Sequence, residues 1–335
     1  MNMLIIPKDY APTLTLRETE EAIKEIKFKF QEELKERLNL YRVSAPLFVD
    51  PTSGLNDNLN GTEDPVSFEI DDMGTKAEIV HSLAKWKRMA LHRYEFKPGE
   101  GIYTDMNAIR KCEELDNTHS IYVDQWDWEK VISKEERTEK TLKETVKGIY
   151  EALKSTEKYV EAIHPSIKSI LPEDITFITT QELEDMYPGK TDKERENLIV
   201  EKHKAVFLMQ IGDILESGSK HDGRAPDYDD WSLNGDILVW HPVLEKAYEL
   251  SSMGIRVDKE TMLSQLKKAN AENRKDFPFH KGIIEEVLPL TIGGGIGQSR
   301  ICMYMLKKAH IGEVQASIWP EKMIKTCEEN KIKIL

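Results

Sequence analysis

A glycine-rich run near the carboxyl end of the chain most constrains how it can fold. Residues 293–295 and 297 are glycines, Arg300 follows, and an apolar helix-forming segment comes next. Glycine lets a backbone approach a ligand closely or adopt angles that other residues avoid, and arginine offers a planar charged group suited to phosphate. Because Gln298 replaces the third glycine and no Gly-Lys-Ser/Thr follows, the run matches neither a dinucleotide-binding fingerprint nor a Walker A loop. We expect a phosphate-binding turn of another fold, or a structural turn with Arg300 in solvent.

Two segments that precede the glycine-rich run are predicted to form a β-hairpin. Residues 102–110 and 121–129 alternate as β-strands do, and the polar segment between them is typical of a long loop. The two-residue period places Gln125, Asp127 and Glu129 on one face, with Arg110 at the end of the partner strand. This arrangement predicts either a polar platform for a small charged ligand or an edge hairpin with one wet face.

A second strand pair carries two carboxylates. Asp236 begins an apolar strand, and residues 248–252 form another that carries Glu249. Mg²⁺ is commonly held by one or two carboxylates and completes its shell with water and substrate phosphates. Either carboxylate alone is as readily a surface residue, but the pair beside a phosphate-type turn predicts a metal site.

Composition limits the class of protein. The chain has 335 residues and a formal charge of -13, and it lacks linker-like or repeated segments, so we expect one domain spanning residues 1–335. The negative charge disfavours nucleic-acid binding, which depends on clustered Lys and Arg. We expect no membrane span and no secretory signal. Three widely spaced cysteines suggest reduced thiols and a cytoplasmic location.

Further elements follow from periodicity and capping. Thr15 and Glu18 form a capping-box pair before an amphipathic helix that ends near Leu40. Residues 85–88 are either the solvated face of a helix that begins near His81 or a ligand contact. The other predicted elements are a helix at 138–163, strands at 41–48, 175–180, 205–211 and 314–318, and helices around Gln181 and Asp192.

Together these motifs resemble the catalytic domains of class II aminoacyl-tRNA synthetases. The first helix and a strand ending at Pro46, the hairpin with Arg110, and the glycine-rich turn with Arg300 correspond to their three signature motifs. More specifically, the chain resembles the ammonia-dependent asparagine synthetases, or aspartate–ammonia ligases. The matching stretches are residues 80–88, 122–129, 224–231, 249–256 and 291–300. The resemblance implies an α+β fold with a mostly antiparallel β-sheet flanked by α-helices. The chain departs from the family's pattern between Trp231 and Gly235, where we expect a connection shorter than in some members.

The resemblance also implies an activity. It is the ATP-dependent conversion of L-aspartate and ammonia to L-asparagine through a β-aspartyl-adenylate, with release of AMP and pyrophosphate, by a homodimer that uses Mg²⁺. Arg110 is the candidate for the α-phosphate and the activated carboxylate. Arg300 is the candidate for the distal phosphates or for stacking on adenine, and Asp236 and Glu249 are the candidate Mg²⁺ ligands.

The candidate substrate-binding residues form a wider set. For the carboxylates and amine of aspartate we consider Lys87, Gln125 and Ser252. Asp229 would attract ammonium or orient the amine, while Asp57 would hold an amine or simply shape an Asx-rich turn. The complete set is Asp57, Lys87, Gln125, Asp229, Ser251, Ser252 and Arg256.

Two other classes of protein remain open. A tRNA synthetase or tRNA-binding relative is disfavoured by the charge and by the short segment before Thr15, where we expect no anticodon-binding domain. An inactive paralogue is disfavoured because both motif arginines and both metal carboxylates are present. A glutamine-dependent enzyme would need a nucleophilic thiol, and none of Cys112, Cys302 and Cys327 has a base placed by a recognisable motif.

Overall fold

The structure, a computed structural model, describes residues 4–56 and 63–335. In these ranges the strands form an eight-stranded sheet and a three-stranded sheet. The strands are β1 (Leu40–Arg42), β2 (Phe48–Val49), β3 (Ser67–Ile70), β4 (Thr75–Ile79), β5 (Gly101–Ile109), β6 (Tyr122–Val131), β7 (Thr176–Thr179), β8 (Ala205–Met209), β9 (Asp229–His241), β10 (Lys246–Arg256) and β11 (Thr291–Gly297).

The large sheet has the strand order β1-β5-β6-β11-β10-β9-β8-β7. The two outermost pairs, β1 with β5 and β7 with β8, are parallel, and the inner pairs are antiparallel. The predicted hairpin is confirmed as β5 paired with β6, and the glycine-rich strand β11 lies between β6 and β10 at the centre of the sheet. The small sheet has the order β2-β4-β3.

Helices cover both faces of the large sheet. Their bounds in the described ranges are α1 (Leu16–Leu38), α2 (Ala84–Arg93), α3 (Glu139–Ile163), α4 (Thr180–Met186), α5 (Asp192–His203), α6 (Lys259–Lys268), α7 (Pro278–Ile284), α8 (Gln298–Met305) and α9 (Glu321–Glu329). None of these helices combines the length and apolar character needed to cross a membrane.

Helix α1 begins as the sequence predicts. Thr15 accepts a hydrogen bond from the backbone of Glu18, whose side chain accepts one from the backbone of Thr15 at 2.8 Å. These reciprocal bonds satisfy amides that a helix start leaves unpaired. One stripe of α1 is buried, including Phe30, whose ring lies 4.7 Å from that of Trp126 on β6.

Side chains of β6 alternate between the apolar core on one face of the sheet and the polar residues on the other. Trp126 and Trp128 are fully buried in the main apolar core, which also contains residues of α1, α3 and α8. Gln125, Asp127 and Glu129 point to the opposite face, because successive strand residues alternate. The polar platform predicted from this pattern therefore lies on the face of the sheet away from the core.

The predicted strand over residues 41–48 is wrong. The chain forms β1 up to Arg42 and pairs it with β5, and it resumes at Phe48 as β2 of the small sheet. Pro46 lies in the interruption, where a residue without a backbone N–H cannot contribute a donor to a sheet ladder. The apolar pattern thus spans two short strands in different sheets.

Two further sequence expectations also fail. Residues 314–318 form no strand; a 3-10 helix (Ile311–Glu313) precedes them, and Ile318 is 78% exposed. The expected connection between Trp231 and Gly235 is absent, because both residues lie inside β9, which starts at Asp229 rather than at Asp236. The alternating pattern at 314–318 reflects one buried end and one exposed end rather than two faces of a strand.

Candidate functional site

A polar cavity of about 430 Å³ opens on the face of the large sheet opposite the main core. Strands β6, β10 and β11, the starts of α2 and α8 and the segments 110–124 and 222–229 contribute to its wall. The predicted site residues that line it are Lys87, Arg110, Gln125, Asp229, Glu249, Ser252, Arg256 and Arg300. Tertiary folding therefore brings most of the candidates to one place.

The glycine run is the floor of this cavity, and it is a strand rather than the expected turn. None of its glycines has a positive φ. A methyl group on Gly295 would overlap the amide oxygen of Gln125, and one on Gly293 would overlap the carboxylate of Glu129. Gly293 and Gly295 are needed because side chains of β6 lie across β11, not because the backbone turns.

Lys87 lies over this floor. Its Nζ donates to the carbonyl oxygen of Gly294 at 2.9 Å, and it lies 3.2 Å from Asp127 and 3.9 Å from Glu129. The side chain is 1% exposed, and Lys85 and Arg88 are also buried, so of the two alternatives for residues 85–88 the solvated face is excluded for these three residues. Burial lowers the pKa of Lys87, although the two carboxylates oppose that shift.

A second cation completes this buried network. Arg256 on β10 donates from Nε and Nη2 to Glu129, at 3.0 Å and 2.8 Å, and from Nη1 to Asp229 on β9. Burial opposes ionisation of Glu129, but Arg256 and Lys87 hold its pKa below the ordinary range. Two cations, Lys87 and Arg256, thus face three carboxylates, Asp127, Glu129 and Asp229.

Arg110 follows directly on β5. Its backbone N–H donates to the carbonyl oxygen of Ile121 at 2.8 Å, which extends the hairpin by one residue beyond the strand. Its Nε is buried, and within the described ranges it has no hydrogen-bond partner. A buried guanidinium donor that is left unpaired is costly, so this position is suited to an anionic ligand.

Arg300 lies in the first turn of α8 and also lines the cavity. Its Nη1 donates to the carbonyl oxygen of Glu249 at 3.0 Å and lies 3.5 Å from the Glu249 carboxylate. The guanidinium also lies 5.8 Å from the centre of the Tyr248 ring. The side chain remains 24% exposed, so Arg300 is held in place but can still contact a ligand.

Asp236 and Glu249 lie on adjacent antiparallel strands. Asp236 is opposite Ser252, and its carboxylate accepts a hydrogen bond from Arg224. Burial raises the pKa of Asp236 to about 7 despite Arg224, and the negative charges of Glu249 and Asp222 add to the shift. Glu249 lines the cavity, whereas Asp236 is not part of the lining but is bonded to Arg224, which is. No group of three or more His, Cys, Asp or Glu side chains in the described ranges is arranged to hold a metal alone.

Besides Asp236, one described candidate, Ser251, is not part of the cavity wall. Ser251 pairs with Ile237 and Ile296 on neighbouring strands, and it is 2% exposed. Its side chain does not line the cavity, whereas that of Ser252 does. Asp57 lies outside the described residues.

Sequence reasoning missed several cavity residues. Arg224, which holds Asp236, is the one cation among residues 222–230, and that contrast was a usable signal. Asp124 accepts from the Ser299 hydroxyl at 2.9 Å and from Gln315 at 3.1 Å, and it pairs with Lys27 at 3.0 Å. These partners lie far apart in the chain, so no local pattern indicates the cluster.

Comparison with known proteins reveals close relatives. A sequence profile of the family described as aspartate-ammonia ligase matches residues 17–331. The aspartate–ammonia ligase of Clostridium tetani is 65% identical over 333 residues, which cover 99% of this chain and 98% of that protein. The aspartate–ammonia ligase of Lactobacillus johnsonii is 61% identical over 334 residues, 99% of each chain.

Solved structures are similar in fold at low sequence identity. The asparaginyl-tRNA synthetase of Entamoeba histolytica in complex with asparaginyl-adenylate has a TM-score of 0.63 at 12% identity, covering 90% of this chain and 66% of that one. The asparaginyl-tRNA synthetase of Pyrococcus horikoshii, also complexed with asparaginyl-adenylate, has a TM-score of 0.62 at 15% identity, covering 90% and 70%. These likenesses confirm the predicted class II synthetase-like fold.

Proposed function

This chain belongs to the aspartate–ammonia ligase family, and from that premise we propose that its cavity makes L-asparagine and AMP from L-aspartate, ammonia and ATP. The observation that carries the proposal is the pairing of two kinds of cation in one cavity. Arg110 offers a buried donor that has no partner among the described residues, whereas Lys87 and Arg256 are embedded among carboxylates. The unpaired donor of Arg110 suits an anionic ligand. The mixed network around Lys87 and Arg256 suits an amino acid, which carries both positive and negative charge.

Arg110 has its main part in the first chemical step. A carboxylate is a poor electrophile, because its carbon shares a delocalised negative charge. An oxygen of the aspartate β-carboxylate attacks the α-phosphorus of ATP, the bond to pyrophosphate breaks, and a β-aspartyl-adenylate forms. The guanidinium of Arg110 contacts the carboxylate and the α-phosphate together and stabilises the charge that develops between them.

Arg300 also binds the nucleotide. Its contacts with Glu249 and the Tyr248 ring fix the plane of the guanidinium. A planar cation held in this way either pairs with the distal phosphates or stacks on the adenine ring.

The carboxylates of Asp236 and Glu249 are suited to bind Mg²⁺. The raised pKa of Asp236 reflects burial close to other negative charges, and a divalent cation would relieve that repulsion. Two carboxylates suffice, because Mg²⁺ takes its remaining ligands from water and substrate phosphates. When bound, the ion would neutralise phosphate charge.

The buried network of Lys87, Arg256 and three carboxylates binds the free aspartate. Lys87, Gln125 and Ser252 line the cavity and are our candidates to contact its carboxylates and amine, and the carboxylates of Asp127 and Asp229 suit its ammonium group. Arg256 positions Asp229 and Glu129. Ser251 and Asp57 are not used in this assignment. Ammonia then attacks the activated carbonyl carbon, the bond to AMP breaks, and one proton leaves the nitrogen; Asp229 is the candidate to attract ammonium.

The remaining features of the protein are also proposals. A homodimer forms through α1 and the adjoining strand, where Phe28 is 61% and Tyr41 54% exposed, because apolar side chains of this size are costly in water. The chain acts as one catalytic domain over residues 1–335. Its three cysteines are unpaired in the described ranges, as in a reducing cytoplasm.

One experiment tests the proposed reaction. The protein is mixed with Mg²⁺-ATP and aspartate, with no tRNA, and with either ammonium or ammonium-free glutamine as nitrogen donor. We expect asparagine, AMP and pyrophosphate in equal amounts with ammonium only, measured by mass spectrometry. ADP and phosphate in step with asparagine would overturn the adenylate route. Comparable production from glutamine, abolished by a thiol-alkylating reagent, would overturn the use of free ammonia.

A further inference from the structure

The side chain of Asn117 joins the loop after Arg110 to both ends of the chain. Asn117 Oδ1 accepts from the backbone N–H of Ile5 at 2.7 Å. Its Nδ2 donates to the carbonyl oxygens of Ile5 at 2.9 Å and of Ala309 at 2.8 Å. Asn117 is 2% exposed, so these bonds satisfy a buried amide that would otherwise be unpaired.

The loop held in this way, residues 111–121, forms one wall of the cavity, and we call it the cavity loop. It contributes residues on both sides of Asn117 to the lining, among them Lys111, Glu113 and His119. Its other long-range hydrogen bonds in the described ranges run from Ile311 to the carbonyl oxygen of Asn117, 2.7 Å, and from Ser120 to Ser317, 3.0 Å. Most of the described long-range hydrogen bonds of the cavity loop are therefore made by Asn117.

The segment that contacts Asn117, residues 4–10, is anchored elsewhere, and we call it the N-terminal strap. The Tyr10 hydroxyl donates to the carboxylate of Glu313 at 2.9 Å. Leu4, Ile6 and Tyr10 pack against a small apolar cluster that contains Cys327 and Ile332. The strap is thus fixed to the body of the protein on both sides of Ile5, and it lies before residue 17, where the family match begins.

We propose that Asn117 is a positioning residue for ATP, because it clamps the cavity loop to the N-terminal strap. This inference rests on the proposed function, in which Arg110 at the base of the loop binds the α-phosphate. A loop that is already ordered pays less conformational entropy when a ligand binds. Arg110 meets the aspartate carboxylate only in the chemical step, whereas free aspartate is bound by residues of α2, β6, β9 and β10, outside the cavity loop. Loosening the clamp therefore weakens ATP binding and changes aspartate binding little.

The backbone donor of Ile5 allows a matched pair of variants. Ile5→Pro removes the N–H that Asn117 Oδ1 accepts, and Ile5→Ala keeps that N–H while shortening the side chain. The Ile5 side chain is 38% exposed, and both variants shorten it, so the comparison between them isolates the loss of the backbone N–H. We expect Ile5→Pro to raise KM for ATP by roughly tenfold, the factor that corresponds to one lost hydrogen bond. KM for aspartate and kcat at saturating ATP should stay within about twofold, and Ile5→Ala should match the wild type.

Hydrogen–deuterium exchange supplies a second measurement that does not depend on activity. Amides of the cavity loop should exchange faster in Ile5→Pro than in Ile5→Ala, while those of β6 are unchanged. Equal KM for ATP in the two variants, or equal exchange in the loop, would overturn the clamp. A parallel rise in both KM values would also overturn it, because it would indicate general loosening. If wild-type protein makes no asparagine, the proposed function fails instead, and the exchange comparison still tests the clamp.

Discussion

Arg256 Nη2 donates to Glu129 Oε2 at 2.8 Å, and both side chains are buried. Thr291 also donates to Glu129, at 2.7 Å, so this carboxylate is held from β10 and β11 at once. Gly293 leaves the space that the Glu129 side chain occupies. The Arg256–Glu129 ion pair therefore helps to hold β6, β10 and β11 together and also balances charge in the cavity.

Removing the Glu129 charge should destabilise the fold. Glu129→Gln leaves Arg256 with one carboxylate partner, Asp229, and Lys87 with one, Asp127. Breaking a buried ion pair typically costs about 3–5 kcal/mol of folding free energy. Denaturant unfolding measures the change. Glu32→Gln, at a partly exposed pair with Lys35, is the matched control and should change stability by less than about 1 kcal/mol. A Glu129→Gln protein as stable as this control would contradict the role of the pair.

Adding a methyl group to the cavity floor should impair aspartate binding. Gly295→Ala would push against the side-chain ends of Gln125 and Asp127, which can move, so we expect a folded protein with a raised KM for aspartate. Gly148→Ala in α3 is the control, because its added methyl meets Leu38 at an ordinary 3.4 Å. That variant should keep full activity and gain up to about 1 kcal/mol of stability from helix propensity. Unchanged aspartate kinetics in Gly295→Ala would show that the floor tolerates side chains.

Arg110→Lys should keep the fold and lose most activity. Lysine retains the charge but cannot bridge a carboxylate and a phosphate in one plane. Loss of one well-placed donor to developing charge costs about 10²–10³ in kcat. Steady-state kinetics and circular dichroism measure the two effects, with Arg93→Lys at the exposed end of α2 as the control. Near-normal turnover in Arg110→Lys would place this arginine outside the chemistry.

The pKa of Asp236 predicts a pH dependence of stability without Mg²⁺ or nucleotide. Its folded value of about 7 exceeds the ordinary 3.8, so between these values the folded protein holds a proton that the unfolded chain has lost. The contribution to stability therefore falls as pH rises toward about 7, by at most about 1.4 kcal/mol per pH unit. In Asp236→Asn this contribution disappears. Denaturant unfolding from pH 5 to pH 8, roughly the window set by that shift, compares the two slopes; parallel slopes would exclude Asp236 as the titrating group.

The proposed homodimer predicts a mass of two chains in solution. Phe28→Asp places a charge on the exposed stripe of α1 and should yield monomers with reduced activity. Light scattering at micromolar concentration measures the mass. Lys24→Ala, an exposed change on the same helix, is the control. A fully active wild-type monomer would refute the dimer.

Local patterns predicted much of the fold correctly. The Thr15–Glu18 capping box and the β5–β6 hairpin depend on residues close in sequence and on a two-residue period, and both are confirmed. The strand predicted at 41–48 failed because its two halves pair with different sheets. The site set was also largely indicated, since strand alternation placed Gln125 and Asp127 on one face.

By itself the sequence determined the family, the main helices and hairpin, and the chemical types of the site residues. Only the tertiary structure decided which of those residues meet. Lys87 lies in a charged stretch that could equally face water, and it is buried because β6 supplies Asp127 and Glu129 from forty residues away. Gly293 and Gly295 suit a turn as well as a strand, and their strand position follows from side chains of β6 that cross β11. Charge pairing and close packing depend on distances in space, which a local sequence pattern does not contain.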